Sequence, residues 1–174
     1  KMILNFFKNL KSKKFKPFKL PKFDKSIDDR CDKSLWYKIK TRPDIVFFEG
    51  WCVGAKAQSE NNLKKAVNSL EKNEDKKLIW RRFVNNSLKT AYKKLFNQIN
   101  YLIFLKAKNF SQLEKWRLKQ EKKLWLKSSN KKNLKIMSND EVINFMKTYQ
   151  RTTQNMFKDS PKYSSIILNL NKNH

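Results

Sequence analysis

Glycine is almost absent from this chain, with only Gly50 and Gly54 among 174 residues. Glycine adopts positive φ more readily than any other residue, so the tightest backbone conformations are confined to one short segment. The four prolines, at positions 17, 21, 43 and 161, leave long stretches without a helix breaker. The sequence therefore predicts long helices, and it excludes the Gly-rich loop G-x-x-x-x-G-K-[ST].

Three short apolar runs interrupt the helical pattern, at residues 44–49, 101–105 and 165–170. Each is rich in β-branched and aromatic residues and is bounded by polar ones, which is typical of a parallel strand covered on both faces. Alternation of such strands with helices predicts an α/β fold with a mainly parallel sheet. In these sheets ligands bind beyond the carboxyl ends of the strands.

The helical segments between these runs carry their own signals. Residues 75–99 place an apolar residue every three or four positions, which predicts one buried stripe. Ser111 to Glu114 fits a capping box that opens a helix reaching about Lys127. Ser138 to Glu141 fits a second box, whose helix must end before Pro161. The polar, basic tract 127–135 is expected to be a flexible loop.

The charge balance is extreme, with 41 Lys and Arg against 15 Asp and Glu and a formal net charge of +26. Nucleic acid is the first partner that such a balance suggests. The excess is spread along the chain as Lys, however, whereas a specific nucleic-acid surface favours clustered charge and Arg. Solvated lysines in a proteome rich in Lys, Asn and Ile are the preferred explanation, so no specific nucleic-acid partner is expected.

The cysteines and the lone histidine exclude several kinds of site. Cys31 and Cys52 do not form a CxxC pair, and His174 stands at the end of the sequence. Disulfide scaffolds, structural zinc sites and histidine-dependent triads are therefore not expected. The two thiols favour a reducing, cytoplasmic location. No apolar run approaches the roughly 20 residues of a membrane helix, so no membrane partner is expected.

Two segments carry residues suited to chemistry. Residues 45–51 place Glu49 at the end of an apolar run, where a carboxylate can orient Mg²⁺ near nucleotide phosphates. A simple strand-end turn with Trp51 packed beneath it fits as well. Residues 20–30 combine three Asp, two Lys, a Ser and an Arg. This mixture is either a solvated loop or a site for a hydroxyl- and carboxylate-bearing substrate.

At these segments the sequence resembles a known family. The resemblance rests on Leu20-Pro-Lys-Phe-Asp-Lys-Ser-Ile-Asp-Asp-Arg30 and Pro43-Asp-Ile-Val-Phe-Phe-Glu-Gly-Trp-Cys-Val-Gly-Ala55. It continues through Val67–Glu71, Asp75, Trp80–Asn85, Trp116–Glu121, Met137–Val142 and Tyr149–Thr153. These motifs, in this order, resemble the D-glycerate 3-kinase-like P-loop kinases, a group of the uridine-kinase-like phosphotransferases.

The resemblance implies ATP-dependent phosphorylation of a small hydroxyl substrate such as D-glycerate. It implies that Asp24 and Arg30 bind the substrate, and that Glu49 is the catalytic acid and holds Mg²⁺, directly or through water. Arg117 and Arg151 would reach the nucleotide as lid residues, although a surface ion pair to a nearby Glu is an equal alternative for each. ATP and Mg²⁺ are the implied cofactors.

One part of the family pattern is absent, because the two glycines cannot build the phosphate-binding Walker A loop. The resemblance therefore implies a single partial P-loop kinase domain over residues 1–174, lacking the first strand, which lies at the sheet centre in this family. The strand predicted at 45–49 would then lack the central strand that should pair with it. We expect a fragment that is inactive alone. A degenerate remnant and a basic RNA- or ribosome-associated protein are the alternatives, and the sequence cannot identify the phosphoryl acceptor or the oligomeric state.

Overall fold

The computed structural model describes residues 2–24, 29–127 and 137–171. The described chain is a helix-rich α/β structure with three small sheets. It divides into two compact units, Lys1–Glu49 and Gly50–His174, which are treated separately below. The α/β class predicted from the sequence is confirmed at this level.

The described residues of the first unit, 2–24 and 29–49, form one helix, one short 3-10 turn and four short strands. In chain order these are α1 (Met2–Leu10), β1 (Phe18–Leu20), β2 (Phe23–Asp24), β3 (Asp29–Arg30), the 3-10 turn Lys33–Leu35 and β4 (Tyr37–Ile39). β1 pairs with β4 and β2 pairs with β3, both antiparallel. Both two-stranded sheets of this unit therefore depart from the predicted parallel arrangement.

Aromatic side chains hold the first unit together. Phe7 is the buried residue of α1, and its ring lies 6.0 Å from that of Phe48 in an edge-to-face arrangement. Phe6 meets Phe18 of β1 at 5.1 Å in the same geometry. Such pairs add to the hydrophobic free energy of burial because the positive ring edge meets the negative ring face. These contacts attach α1 to β1 and to the segment just before Glu49.

The run 45–49 does not form a strand, which corrects the prediction made for it. Ile45 is 72% exposed and Phe47 is 86% exposed. A strand needs a neighbour that satisfies its N–H and C=O groups, and no strand within the described residues pairs with this segment. The apolar pattern is that of a covered strand, but pattern alone does not supply the partner.

The second unit consists of helices on one parallel strand pair. In chain order it contains α2 (Glu60–Lys64), α3 (Ser69–Asn73), α4 (Ile79–Ser87), the π-helical turn Leu88–Tyr92, α5 (Lys93–Phe96), β5 (Ile103–Lys106), α6 (Phe110–Lys127), α7 (Asn139–Asp159), the 3-10 turn Ser160–Lys162 and β6 (Ile166–Asn169). None of the described helices is long and apolar enough to span a membrane.

β5 and β6 pair in parallel, with Ile103 opposite Ile166 and Lys106 opposite Asn169. Both strands were predicted as apolar runs. In β5 Phe104 is buried, whereas Ile103 and Leu105 on the opposite face are 46% and 57% exposed, and all four residues of β6 are exposed. The expected cover on both faces is therefore absent from the described residues, and the predicted mainly parallel sheet is limited to this pair.

The core of the second unit comprises two clusters that share Phe157. One joins Phe104 of β5 to Ala55 and to Met156 of α7. The other is built from Phe110, Val142 and Met146, and it packs α6 on α7. Since Phe157 contacts both clusters, α7 connects the strand pair to the second long helix.

The segment predicted as helical over 75–99 is helical over residues 79–96, and its buried face differs from the prediction. Within the stripe expected to be buried, Ile79 and Phe83 are 70% and 63% exposed, while Leu95 is buried. In α4 the buried residues are Arg81 and Asn85. Both polar side chains form hydrogen bonds, described below. These bonds offset the free-energy cost of burying polar groups, so Arg81 and Asn85 lie on the buried face of α4.

The long helices begin with different caps. Ser138 and Glu141 form the predicted capping box: the Glu141 N–H donates to Ser138 Oγ, and the Ser138 N–H donates to the Glu141 carboxylate. The box predicted at Ser111 is wrong. α6 begins at Phe110, and Asn109 caps it by accepting the Gln112 N–H at 3.0 Å. α7 ends at Asp159, before Pro161. Of the tract 127–135, only Lys127 lies within the described residues, as the last residue of α6.

Candidate functional site

The proposed substrate residues Asp24 and Arg30 lie on one hairpin of the first unit. β2 and β3 place Asp24 opposite Asp29 and Phe23 opposite Arg30, so the two residues occupy neighbouring positions across the strand pair. Arg30 is exposed and Asp24 is half-buried. The Arg30 backbone N–H donates to Asp29 Oδ1 at 2.6 Å. Side chains at successive strand positions point to opposite faces, so Asp24 and Asp29 share one face of this hairpin, and Arg30 lies with Phe23 on the other.

Glu49 is the last residue of the first unit and is exposed. It follows the extended, unpaired run 45–48. Mg²⁺ commonly keeps several waters and takes one or two protein carboxylates together with substrate phosphates. An accessible carboxylate at this position is a ligand of the type that Mg²⁺ prefers, so Glu49 fits the ion implied by the sequence.

The segment after Glu49 has unusual backbone geometry. Cys52 has φ of 62° and Gly54 has φ of 82°. A Cβ on Gly54 would approach Leu102 Cδ2 to 3.0 Å, so this position requires glycine for both its conformation and its surroundings. Burial raises the pKa of the Cys52 thiol to about 11, which keeps the thiol protonated and unreactive at neutral pH.

Arg117, a proposed lid residue, lies on α6 and pairs with Glu121 one turn later. It also donates to Gln120 Oε1 at 3.2 Å. Glu121 is buried, and its other oxygen accepts the Met137 N–H at 3.0 Å, just before α7. The pair therefore links α6 to the start of α7. The ion pair expected as an alternative role for Arg117 is present.

A continuous series of rings connects the loop after Glu49 to Arg117. Trp51 stacks on Tyr149 with ring centroids 4.7 Å apart and planes within 2°. Tyr149 meets Phe145 edge to face at 5.2 Å, and the Arg117 guanidinium carbon lies 5.9 Å from the Phe145 ring centroid. Trp51, Tyr149, Phe145 and Arg117 thus form one aromatic series along α7. Trp51 is still 43% exposed, so its outer edge can contact a ligand.

Arg151, the second proposed lid residue, is buried on α7. Its Nε and Nη2 each donate to Glu71 at 2.7 Å. The remaining donors reach the Asn62 carbonyl at 2.8 Å, the Lys65 carbonyl at 2.6 Å and Gln58 Oε1 at 3.4 Å. The bidentate pair with Glu71 spans 80 residues of sequence. All five N–H donors of Arg151 are engaged within the protein.

Glu71 and Arg151 belong to a buried ionic cluster that also contains Asp75 and Arg81. Arg81 Nε donates to Asp75 Oδ2 at 2.9 Å, and Arg81 Nη1 lies 3.7 Å from Glu71 Oε2. Other Arg81 donors reach the carbonyls of Leu63 and Asp75. Burial opposes ionisation of Asp75, but hydrogen bonds from Arg81 and the Trp80 N–H outweigh it and lower the Asp75 pKa. Two cations and two carboxylates balance in charge.

Amide side chains extend this cluster toward α7. Asn85 Oδ1 accepts the Gln58 N–H at 2.7 Å, and Asn85 Nδ2 donates to the Gln58 carbonyl at 3.0 Å. Gln58 Nε2 in turn donates to Asn155 Oδ1 at 3.0 Å. The Asn85 amide thus satisfies both the backbone N–H and the backbone C=O of Gln58, in the loop before α2. The ionic cluster and these amides fix α2, α3 and α4 against α7.

Sequence reasoning did not assign a role to the ionic cluster. Its residues lie within motifs used for the family resemblance, namely Val67–Glu71, Asp75, Trp80–Asn85 and Tyr149–Thr153. The available signal was the concentration of charged and amide residues in these motifs, whereas periodicity favoured their apolar neighbours. Charge pairing across 80 residues of sequence cannot be read from local spacing.

Comparisons with known proteins agree with the resemblance. The uncharacterized kinase mug58 of Schizosaccharomyces pombe is 31% identical over 166 residues, covering 88% of this chain and 57% of that protein. The chloroplastic D-glycerate 3-kinase of Arabidopsis thaliana is 26% identical over 135 residues, covering 75% of this chain and 26% of that protein. No protein-family model matches.

A solved structure supports the fold. The chain aligns with a D-glycerate 3-kinase from Cryptococcus neoformans var. grubii at a TM-score of 0.69 and 22% identity, covering 97% of this chain and 62% of that structure. The chain thus spans 57% of its first curated relative and 26% of the second.

Proposed function

Because this chain is a relative of the D-glycerate 3-kinase-like kinases, we propose that it forms part of an enzyme that phosphorylates a hydroxyl group of a small acid such as D-glycerate, using ATP. The similarity of nearly the whole chain to kinases, in sequence and in fold, carries the proposal. The phosphoryl donor and the acceptor are the small-molecule partners.

Asp24 and Arg30 are proposed to bind the acceptor. The Asp24 carboxylate would accept a hydrogen bond from a substrate hydroxyl, and the Arg30 guanidinium would bind the substrate carboxylate through two parallel N–H donors. Both residues belong to the β2–β3 hairpin, which supports an acceptor site at this hairpin, with the two side chains on its opposite faces. Arg30 is exposed and therefore accessible to an anion.

Glu49 is proposed to act as the catalytic carboxylate and to hold Mg²⁺, directly or through water. Mg²⁺ bound there would neutralise charge that develops on the transferred phosphoryl group. The Glu49 carboxylate would also accept a proton from the attacking hydroxyl. Its exposure, next to a loop that contains both glycines, supports access by substrate and nucleotide.

The arginines are proposed to play unequal roles. Arg117 is half-buried beside the aromatic series, with its side chain 20% exposed, and a change of its Gln120 contact would free donors for phosphate oxygens. Arg151 would have to abandon Glu71 and two backbone carbonyls to reach a nucleotide. We therefore favour Arg117 as the nucleotide-contacting lid residue and Arg151 as a positioning residue.

The 174 residues are proposed to act as a partial kinase domain that does not phosphorylate by itself. Backbone N–H groups of a Gly-rich loop normally surround the phosphates, and this sequence has no such loop. The exposed apolar faces of β5 and β6 also favour a partial domain. Cys31 and Cys52 are both free, which favours a reducing compartment such as the cytoplasm.

Titration calorimetry with D-glycerate tests the acceptor site in the 174-residue chain. We expect Asp24→Asn and Arg30→Gln each to weaken D-glycerate binding at least about tenfold, the loss of one charged hydrogen-bond partner. Asp44→Asn and Lys38→Gln remove exposed charges of the same sign in the same unit and serve as matched controls. Equal losses in test and control variants, or no binding to the unsubstituted chain, would contradict the acceptor assignment.

Turnover assays test the partial-domain proposal separately. The chain alone, with ATP, Mg²⁺ and D-glycerate, is expected to show no phosphoryl transfer. Kinases ordinarily turn over at roughly 1–100 per second. A rate in that range from the 174-residue chain would overturn the proposal that it is inactive alone.

A further inference from the structure

A cavity of about 590 Å³ lies within the second unit, away from the carboxyl ends of its strands. Leu102 and Ser165 line it, and these residues directly precede β5 and β6. The loop 54–57 and the segment 88–100 supply the other walls. Its size falls within the roughly 300–1,000 Å³ of ordinary small-molecule pockets. None of the residues proposed for the kinase chemistry, Asp24, Arg30, Glu49, Arg117 and Arg151, is among the lining residues of this cavity.

The walls of this cavity combine positive charge with an apolar surface. Lys56, Lys89 and Lys93 line it, and no Asp or Glu is among the lining residues. Half-buried Leu88, Phe96 and Leu102 form its apolar part. Three ammonium groups around a concave, partly apolar surface raise the local concentration of anions.

Tyr163 organises one wall. Its hydroxyl donates to the Gly54 carbonyl at 3.1 Å and lies 3.0 Å from Ser160 Oγ. Burial raises the Tyr163 pKa, so the phenol stays neutral at physiological pH. Lys56 Nζ lies 3.6 Å from the centroid of this ring, a cation–π contact. The aromatic face thus holds the Lys56 ammonium at the cavity without neutralising its charge.

The positive charge of Lys89 is only weakly compensated by a nearby carboxylate. Lys89 Nζ lies 3.9 Å from Glu60 Oε1, and both side chains are about half exposed. Exposed pairs at such distances contribute little and are screened by salt. Glu60 also accepts from Arg82 at 3.3 Å, so its charge is shared. Most of the positive charge at the cavity is therefore left for a ligand.

We propose that this cavity binds a phosphate monoester with a small apolar body. A monoester carries close to two negative charges at neutral pH and several acceptor oxygens, which matches three lysines better than a carboxylate with one charge. The apolar wall formed by Leu88, Phe96 and Leu102 would contact the organic part. This is a second ligand site, beyond the proposed phosphorylation of the acceptor.

Calorimetry on the 174-residue chain with phenyl phosphate tests the proposal. Inorganic phosphate, benzoate and benzyl alcohol are parallel probes that lack the apolar body, the second charge and all charge, respectively. We expect phenyl phosphate to bind at least fivefold more tightly than each of them. Equal binding of inorganic phosphate or benzoate would overturn the proposed ligand class.

A matched pair of triple variants separates the cavity from general attraction to a basic protein. Lys56→Gln, Lys89→Gln and Lys93→Gln together should weaken phenyl phosphate at least tenfold. Lys64→Gln, Lys72→Gln and Lys94→Gln change exposed lysines outside the cavity and lower the formal charge of +26 by the same three units. They should change affinity less than twofold.

A loss in the cavity variant that is below tenfold, or no greater than in the control, overturns the site. Circular dichroism confirms that each variant is folded. Should the cavity triple fail to fold, the neighbouring single variants Lys93→Gln and Lys94→Gln decide instead. Only the first lies at the cavity, and it should weaken binding at least threefold; equal effects overturn the proposal.

Discussion

Glu71 shows how much of this molecule depends on one carboxylate. Its two oxygens accept both bonds of the Arg151 pair and the Val67 N–H at 2.9 Å, while its backbone N–H is capped by Asn68. Its side chain is only 9% exposed. A buried ion pair has a large desolvation cost, so it persists only when every donor and acceptor is satisfied. The need to satisfy the Glu71 carboxylate and the Arg151 guanidinium therefore sets how α3 packs on α7.

Glu71→Gln should destabilise the chain by about 3 kcal/mol, because it leaves two buried guanidinium groups with only Asp75 to balance them. Urea unfolding followed by circular dichroism measures the change. Glu74→Gln is the matched control, an exposed glutamate three positions along, and should change the free energy of unfolding by less than about 0.5 kcal/mol. Equal effects in the two variants would show that the cluster is not needed for stability.

Asp75 gives a pH dependence with a defined sign. Its folded pKa is below the ordinary value of 3.8, so ionised Asp75 stabilises the folded state above that pH. The contribution is lost as the pH falls through the lower, folded-state pKa. The stability difference between the unsubstituted chain and Asp75→Asn should be constant from about pH 7 to 5 and shrink below about pH 4. Urea unfolding of both at each pH measures it; a difference that grows on acidification would contradict the assignment.

At the scale of elements, the two long helices differ in how their starts are determined. α7 has the reciprocal Ser138 and Glu141 box, and hydrogen bonds from the Ser138 backbone and hydroxyl lower the Glu141 pKa. α6 starts two residues earlier than the Ser111 signal requires, because Phe110 is buried against Val142 and Met146. Tertiary packing of Phe110 thus selects Asn109 as the cap over an equally plausible local motif.

Substitution distinguishes the two candidate caps of α6. Asn109→Ala should cost about 1 kcal/mol because it leaves the Gln112 N–H without its acceptor. Ser111→Ala, on the exposed face of the same first turn, should cost less than about 0.5 kcal/mol. Thermal and urea unfolding measure both. If Ser111→Ala were the more damaging change, the helix would have to begin at Ser111.

At the scale of the whole molecule, the arginines and the lysines have different electrostatic roles. Three of the six arginines, Arg81, Arg117 and Arg151, pair with carboxylates that are less than about a tenth exposed. Planar guanidinium groups satisfy several acceptors at once, which suits them to buried pairs. The many lysines leave the net charge of +26 largely uncompensated. Self-repulsion of this excess opposes the compact state.

Salt should therefore stabilise this protein. Raising NaCl from about 20 to about 200 mM shortens the screening length and should raise the melting temperature by at least about 2 °C. Lys64→Glu, Lys72→Glu and Lys94→Glu together lower the formal charge of +26 by six and should reduce the salt response. Differential scanning calorimetry measures both. A melting temperature that falls with salt would show that favourable ion pairs outweigh the repulsion.

The sequence alone determined the elements whose signals are local. The Ser138 box, the end of α7 before Pro161 and the apolar runs of β5 and β6 depend on neighbours in sequence, and all were predicted. The paucity of glycine likewise excluded a phosphate loop. Roles for Asp24, Arg30 and Glu49 came from the order of motifs and stay predictions.

Only the tertiary structure decided which residues became interior. Periodicity favoured Ile79 and Phe83, yet α4 buries Arg81 because the Leu63 carbonyl of α2 and the Asp75 carboxylate after α3 accept its hydrogen bonds there. The run 45–49 has the composition of a strand but lacks the partner that would make it one. Pairing and ion-pair formation depend on distant segments. Local sequence supplies their residues, and the fold supplies their partners.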